Sequence, residues 1–257
     1  MGVIDRYVID NDLVLLPNRT MYIKSIRALV VADLHLGIEY AMALKGIYLP
    51  AYQFAEIREI LFNYISRFRP EKLIVVGDFK HEFAQKTRQE HRETLLLLDE
   101  IKNRNLYFIL VRGNHDNFIR GILERNNVDF RDPYYVEGEF LFIHGHKDIP
   151  GNLDLSPIRY IIMAHEHPAV LFKDEVGGRD KVPVFMIGSF PDNKKIKLIV
   201  LPALSSVASG IEVNFVAPSD FLSPILQRAE IDEFKAIASL STGLLELPQI
   251  KHLRSLL

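Results

Sequence analysis

The sequence predicts an α/β protein built as a four-layer sandwich, with two mixed sheets face to face and helices outside each. Three observations carry that expectation. The first half alternates short apolar, β-branched runs with helical segments, which favours parallel strands joined by crossover helices. After Asp132 the pattern changes to strands with short loops and few helices, which a second sheet packed on the first would explain. Finally, five apolar runs end directly in carboxylate, amide or imidazole residues, and loops past the carboxyl ends of strands share one edge of a layered sheet. The 257 residues, 48% hydrophobic and 25% charged, are enough to bury a sizeable core.

The elements follow in order. Residues 7–14 and 20–26, split by the turn-like Leu16-Pro17-Asn18, read as a leading hairpin or strand pair. Residues 28–32 form a buried strand. Pro50 opens a helix that ends before Pro70, with Phe54, Ile57, Leu61, Tyr64, Ile65 and Phe68 at helical spacing. A strand over 73–76, a long helix over 87–103, a strand over 106–111 and a short helix over 116–126 continue the alternation. Strands are then expected at 134–136, 139–144, 159–164, 182–190 and 196–201, with a loop or hairpin tip at 173–181. No repeat or linker divides the chain. The expectation is one domain over 1–257, with 219–257 as an extension that docks helices and loops.

Chemistry concentrates at the strand ends. ALVVADLH, KLIVVGD, LYFILVRGNHD, EFLFIHGH and YIIMAHEH place Asp33 and His35, then Asp78, then Asn114, His115 and Asp116, then His144 and His146, then His165 and His167 just past strands. Seven of the nine histidines lie in or beside these clusters. Carboxylate, imidazole and amide oxygen suit hard-to-borderline divalent metals. Asp78 has two oxygens and could bridge two ions, and such a pair activates a hydroxide and stabilises entering and leaving oxygens in phosphoryl hydrolysis. His115 is placed to protonate the leaving group, with Asp116 to hold its tautomer. His146 is an alternative to His144 as ligand. Glu166 is expected to face away, as a solvated or supporting group.

The rest of the composition narrows the classes. There is no cysteine, which excludes disulfides, thiolate zinc sites and cysteine nucleophiles, and fits a reducing compartment. Residues 1–12 carry three aspartates and no basic start, unlike a signal peptide. The longest uncharged apolar stretch, 198–211, is shorter than the ~20 residues that span a bilayer. A soluble, cytoplasmic protein with no membrane partner is expected. A net charge of −2 gives no global attraction to nucleic acid, though a local basic groove stays open.

Asp33-Leu34-His35, Gly77-Asp78, Gly113-Asn114-His115-Asp116, His144-Gly145 and His165-Glu166-His167 together resemble, in order and in strand-end placement, the five motifs of the calcineurin-like metallophosphoesterases. More narrowly, DLHLGIE, VGDFKHEF, RGNHD, HGH and AHEHPAV resemble the archaeal phosphoesterases related to the nuclease SbcD and the bacterial ligase-associated phosphoesterases. The resemblance covers about residues 28–226. It implies one metal on Asp33, His35, Asp78 and His167, a second on Asp78, Asn114, His144 and His165, and His115 as the catalytic histidine. Manganese is the first metal it implies, with iron, zinc or nickel as alternatives. Ala164 stands where the last motif usually has glycine. The implied function is phosphodiester hydrolysis by a nuclease acting on DNA, single strands preferred, in repair alongside a helicase or ligase. The alternatives are hydrolysis of small nucleotides and a non-catalytic scaffold. A homodimer is compatible with the family.

Several residues keep two readings from sequence alone. Lys80, His81 and Arg112 are either phosphate contacts or surface residues. Tyr48, Tyr52 and Phe79 are either a base-stacking mouth or core. The basic run 86–92 reads as a solvated helix face.

Overall fold

The computed structural model describes residues 2–82, 87–173 and 177–255. Its first strands, β1 (Tyr7–Val8), β2 (Leu13–Leu16) and β3 (Thr20–Ile23), form an antiparallel meander ending on β4 (Ala28–Val31). The strand expected over 7–14 is broken because the Asp10 carboxylate accepts the amides of Asp12 and Leu13, making a turn. Next come α1 (Ile38–Leu44), α2 (Gln53–Phe68), β5 (Lys72–Val76), α3 (Arg88–Lys102), β6 (Tyr107–Val111), α4 (Arg120–Arg125) and β7 (Asp129–Arg131). Strands β4 to β7 pair in parallel, completing a seven-stranded sheet in sequence order. Helix α3 starts where Thr87 caps it, its hydroxyl accepting the Glu90 amide. Helix α2 stops at Arg69, which takes a left-handed conformation just before Pro70.

The second sheet contains β8 (Tyr134–Glu137), β9 (Phe140–Ile143), β10 (Tyr160–Met163), β11 (Ala169–Lys173), β12 (Arg179–Phe190) and β13 (Asn193–Val200). After the short α5 (Pro224–Gln227) come β14 (Lys235–Leu240), β15 (Gly243–Gln249) and α6 (Ile250–Arg254). The strand order is β15-β14-β12-β13-β10-β9-β8, with β11 paired to β12. Strand β10 runs parallel to both β9 and β13, and the other pairs are antiparallel, so both sheets are mixed. The expected tip over 173–181 joins β11 to β12, and residues 174–176 of it lie outside the described residues, as does Lys86 of the basic run. The tail departs from expectation. Strands β14 and β15 form a hairpin that extends the sheet, because β14 satisfies its backbone on β12 while burying Ala236, Ile237 and Ala238.

Side-chain parity makes the layers. In β4, Ala28 and Val30 join the cluster between the sheets, while Leu29 and Val31 join the helix-facing cluster. Strands β5 and β6 divide the same way, with Ile57, Leu61, Leu97 and Leu98 of α2 and α3 as the outer cover. In the second sheet Phe142, Ile162, Phe185, Ile199 and Ile237 face inward, and Leu141, Ile161, Met186 and Leu198 face a third cluster closed by Phe221, Phe234 and Leu253. Strands buried on both faces are the mark of a parallel sheet covered on each side. The carboxyl ends of β4, β5, β6, β9 and β10 consequently meet at one edge. Ile237→Ala is expected to lower unfolding free energy in urea by about 2–5 kcal/mol. A loss of only a few tenths would mean that the tail is not part of the inter-sheet core.

Candidate metal centre

Backbone conformation prepares this edge. Asp33, His35, Asp78, His165 and His167 all have positive φ, from 41° at Asp78 to 76° at His165. A non-glycine residue held there costs on the order of 1–3 kcal/mol, and such strain gathers at functional sites. The loops brace one another through backbone hydrogen bonds: Asp33 N to Gly77 O (3.2 Å), His35 N to Asp78 O (2.9 Å) and Ala164 N to His144 O (3.0 Å). Gly77 also lacks room for a side chain, since a Cβ there would lie 2.0 Å from His144 Nδ1.

The predicted ligands then converge in two groups that share one member, and His35, His81 and His115 bring a third set of ring nitrogens together beside them. Asp33, His35, Asp78 and His167 each bring a donor atom within 4.8 Å of the others, and so do Asp78, His144 and His165. Asn114 Oδ1 completes the second group, 3.0 Å from His144 Nε2. Within the first, His167 Nε2 is 3.2 Å from His35 Nε2 and 3.3 Å from Asp33 Oδ2. Between the two, Asp78 Oδ2 is 3.4 Å from His144 Nε2 and 3.9 Å from His35 Nε2. Asp33 Oδ1 and His165 Nδ1 are buried with no hydrogen-bond partner among the described residues. Orphaned buried polar atoms are rare and ask for a ligand. Nitrogen and oxygen donors in this mixture fit divalent cations.

Electrostatics set His35, His165 and His167 in the metal-ready, neutral form, whereas His144 and Asp33 are shifted toward protonation. Burial, then the charged His144, pushes His165 down to about 3. Burial likewise holds His167, His81 and His146 at about 4, and His35 well below its ordinary range. Neutral imidazole is the form that coordinates. Burial acts to raise Asp78, but the neighbouring His144 overrides it and keeps the carboxylate ionised; in return Asp78 lifts His144 to about 9 against its own burial. Burial, aided by the Asp78 charge, raises Asp33.

A family model for calcineurin-like phosphoesterases matches residues 26–198, which contain every residue of both groups. The chain belongs to the calcineurin-like phosphoesterase family. It is therefore a metal-dependent phosphoesterase. Among solved structures it is similar to the nuclease MPE of Pseudomonas putida, at 20% identity and a TM-score of 0.62, covering 91% of this chain and 94% of that one. YfcE, a phosphoesterase from E. coli, aligns at 15% identity and a TM-score of 0.40 over 72% of this chain and 83% of its own. A predicted phosphoesterase from Streptococcus pneumoniae TIGR4 aligns at 12% identity and a TM-score of 0.35, over 86% and 95%. No curated protein sequence matches this chain.

Around the phosphoesterase centre the remaining residues divide sharply. The His115 amide donates to Asp78 Oδ1 (2.9 Å), and its Nε2 lies 4.0 Å from Asp78 Oδ2. Its Nδ1 meets the His81 carbonyl oxygen at 2.5 Å. Asp116 does not hold that ring as expected. Its carboxylate turns inward and accepts the amides of Gly113 (2.8 Å), Phe79 (2.9 Å) and Lys80 (3.4 Å), tying the β5 and β6 loops together. Lys80 is buried, its ammonium on the Glu82 carbonyl and 3.7 Å from Glu90, so it is closed to substrate. Arg112 is engaged by Asp132 and Asn117. Phe79 is core, whereas Tyr48 and Tyr52 are exposed. His146 packs behind His144 and His165 and belongs to neither donor group. Glu166 is buried rather than solvated, and accepts the Ser223 amide at 2.5 Å.

Three supports surround the ligands, and His81 is neither the phosphate contact nor the surface residue the sequence offered. His81 Nδ1 sits 3.3 Å from His35 Nδ1, Gln53 Nε2 donates to the carbonyls of Leu34 and His35, and Ser209 O faces His167 Nδ1 at 3.1 Å. Only VGDFKHEF placed His81 near a ligand loop; nothing local marks Gln53 or Ser209.

In chelator-treated protein, NMR is expected to show His165 titrating at about 3 and His81, His146 and His167 at about 4. Their lone pairs then remain available for metal as pH falls through 6.5, the ordinary imidazole value. Titration of all four near that value would contradict the packed cluster. Gly77→Ala should weaken divalent-metal binding at least about tenfold by calorimetry, as displacing a ligand's support does; unchanged affinity would contradict the contact with His144.

Proposed function

We propose that this phosphoesterase is a two-metal phosphodiesterase that cuts nucleic acid, with single-stranded DNA as preferred substrate. Asp33, His35, Asp78 and His167 would hold one ion, and Asp78, Asn114, His144 and His165 the other. The observation that carries the reading is the shared Asp78, one buried carboxylate belonging to both donor groups. Manganese is the first candidate metal, ahead of iron, zinc or nickel. When bound, the ions supply Lewis acidity and a water of lowered pKa. Nucleic acid as substrate is supported by the motif spelling shared with SbcD-related and ligase-associated phosphoesterases, and by a neighbour of this fold that is described as a nuclease. Service in DNA repair beside a helicase or ligase, in the cytoplasm, belongs to the same reading. Among the described residues no helix is long and apolar enough to cross a membrane.

The chain's own residues divide the work. His115 is the general acid. The His81 carbonyl accepts from its Nδ1, which leaves Nε2, 4.0 Å from Asp78 Oδ2, to carry the proton given to the departing oxygen. Asp116 acts through the backbone, keeping the loop of Asn114 and His115 in register with Asp78. Gln53 fixes the carbonyls of Leu34 and His35, so the first donor group is held from beneath.

With manganese restored to chelator-treated protein, labelled single-stranded DNA should be cut faster than duplex, and bis-p-nitrophenyl phosphate should be hydrolysed as well. Turnover of only that ester and of cyclic dinucleotides would point to small nucleotides instead. Asp78→Ala should abolish activity, and retained turnover would remove its bridging role. His115→Ala should keep metal while losing ~10²–10⁴ in rate on DNA, and much less on nitrophenyl esters, whose leaving group needs little protonation. Undiminished DNA cleavage would contradict the acid assignment.

A further inference from the structure

One exposed excursion at the rim of the metal centre has no role in the chemistry above. The chain leaves the ligand loop at His35, turns through Gly37 into α1, and returns at Gln53, which hydrogen-bonds back to the carbonyls of Leu34 and His35. Both ends of the excursion are thus fastened to the metal loop. Between them residues 44–52, LKGIYLPAY, are all exposed. Leu44 is 64% exposed, Ile47 52%, Tyr48 84% and Tyr52 49%. Contiguous exposed apolar surface of this kind marks a binding site rather than ordinary solvated chain.

Its charge indicates what binds. LKGIYLPAY carries one lysine and no acid. Behind the excursion lies a groove of about 510 Å³ lined by Tyr40, Phe54, Arg88, Arg92 and Leu96, with one acid, Glu93, whose side chain is buried against Gln89 and the Gly37 amide. Both arginines are exposed, and neither they nor Lys45 form an ion pair among the described residues. Exposed aromatic rings interleaved with exposed cations match the chemistry of an unpaired strand, whose bases stack while its phosphates are neutralised. A protein partner would meet the same rings, but three exposed cations, none in an ion pair among the described residues, favour the polyanion beside a phosphodiester-cleaving centre.

We propose that residues 44–52, with Arg88 and Arg92, form a stacking platform that feeds an unpaired nucleic-acid strand to the metal centre, an inference that rests on the nuclease reading and names its substrate-binding surface. The platform is selective: a duplex keeps its bases stacked on one another and cannot offer their faces to Tyr48 and Tyr52.

The test compares Tyr48→Ala, Tyr52→Ala and Tyr48→Phe in the manganese-loaded full chain. Binding is measured by anisotropy of a labelled, cleavage-resistant phosphorothioate oligothymidylate, beside hydrolysis of bis-p-nitrophenyl phosphate. Each alanine variant should weaken strand binding about tenfold, Tyr48→Phe should bind like the parent, and ester hydrolysis should be unchanged in all three. Parental strand binding in both alanine variants would overturn the platform. An equal loss on the small ester would overturn it too, by making the tyrosines structural. Sedimentation showing a parent dimer that Tyr48→Ala dissociates, with strand binding intact, would reassign the patch to a second copy of this chain. If the parent hydrolyses the ester but neither binds nor cuts the strand, the nuclease reading itself fails, which is a separate outcome.

Discussion

A carboxylate only 2% exposed, Asp78, sits among imidazoles at the meeting point of two sheets, and the rest of this edge is arranged around it. An isolated buried anion is strongly unfavourable, so it survives only with partners. Here the His115 amide donates to one oxygen, and His144 and His35 flank the other. The same crowding raises the energy of its neighbours. Asp33 is pushed toward protonation, five imidazoles are pushed toward the neutral form, and two buried donor atoms are left without a hydrogen bond among the described residues. Divalent cations would relieve Asp33 and use the lone pairs of His35, His165 and His167 at once, which is why the arrangement makes physical sense as an ion-binding edge and poor sense as mere packing.

The scaffold's part is to make that crowding unavoidable. Parallel strands β4, β5 and β6 carry Asp33, Asp78 and Asn114 to one side, and β9 and β10 bring His144 and His165 from the other sheet. The inter-sheet core, with Phe142, Ile162 and Phe185 against Val30, Ile74 and Ile109, fixes the separation at which the two sets meet. Supports reach in from farther along the chain. The amides of Leu204 and Ser205 donate to the carbonyls of Ala32 and Asp33, at 2.7 and 3.2 Å, and Glu166 fastens the segment at Ser223. The left-handed backbone at five of the proposed ligands is held by this surrounding network, not by local preference.

The donor residues and the layered fold were legible because both follow from short-range signals: β-branched runs of strand length, and metal-type side chains at their ends. What stayed hidden depended on distant pairing. KAIASL and GLLELPQ carry no decisive period, and they become strands because β12 offers β14 an unpaired edge. Helix α1 was concealed by its exposed, poorly patterned tip, and the helix expected over 116–126 shortens to Arg120–Arg125 because Asp116 is used to accept backbone amides. Adjacency suggested that Asp116 would grip the His115 ring, but the turn sends the carboxylate into the β5 loop and gives the ring to the His81 carbonyl. Lys80, equally close in sequence to Asp78, is consumed by Glu82 and Glu90. Which neighbour a polar side chain meets is a tertiary question that spacing does not answer.

The central claim is that this edge holds a pair of divalent ions bridged by Asp78. Anomalous scattering from crystals grown with manganese tests it most directly. Two peaks should appear, one among Asp33, His35, Asp78 and His167 and the other among Asp78, Asn114, His144 and His165. A single peak, or manganese bound elsewhere while these side chains keep only one another for company, would contradict it.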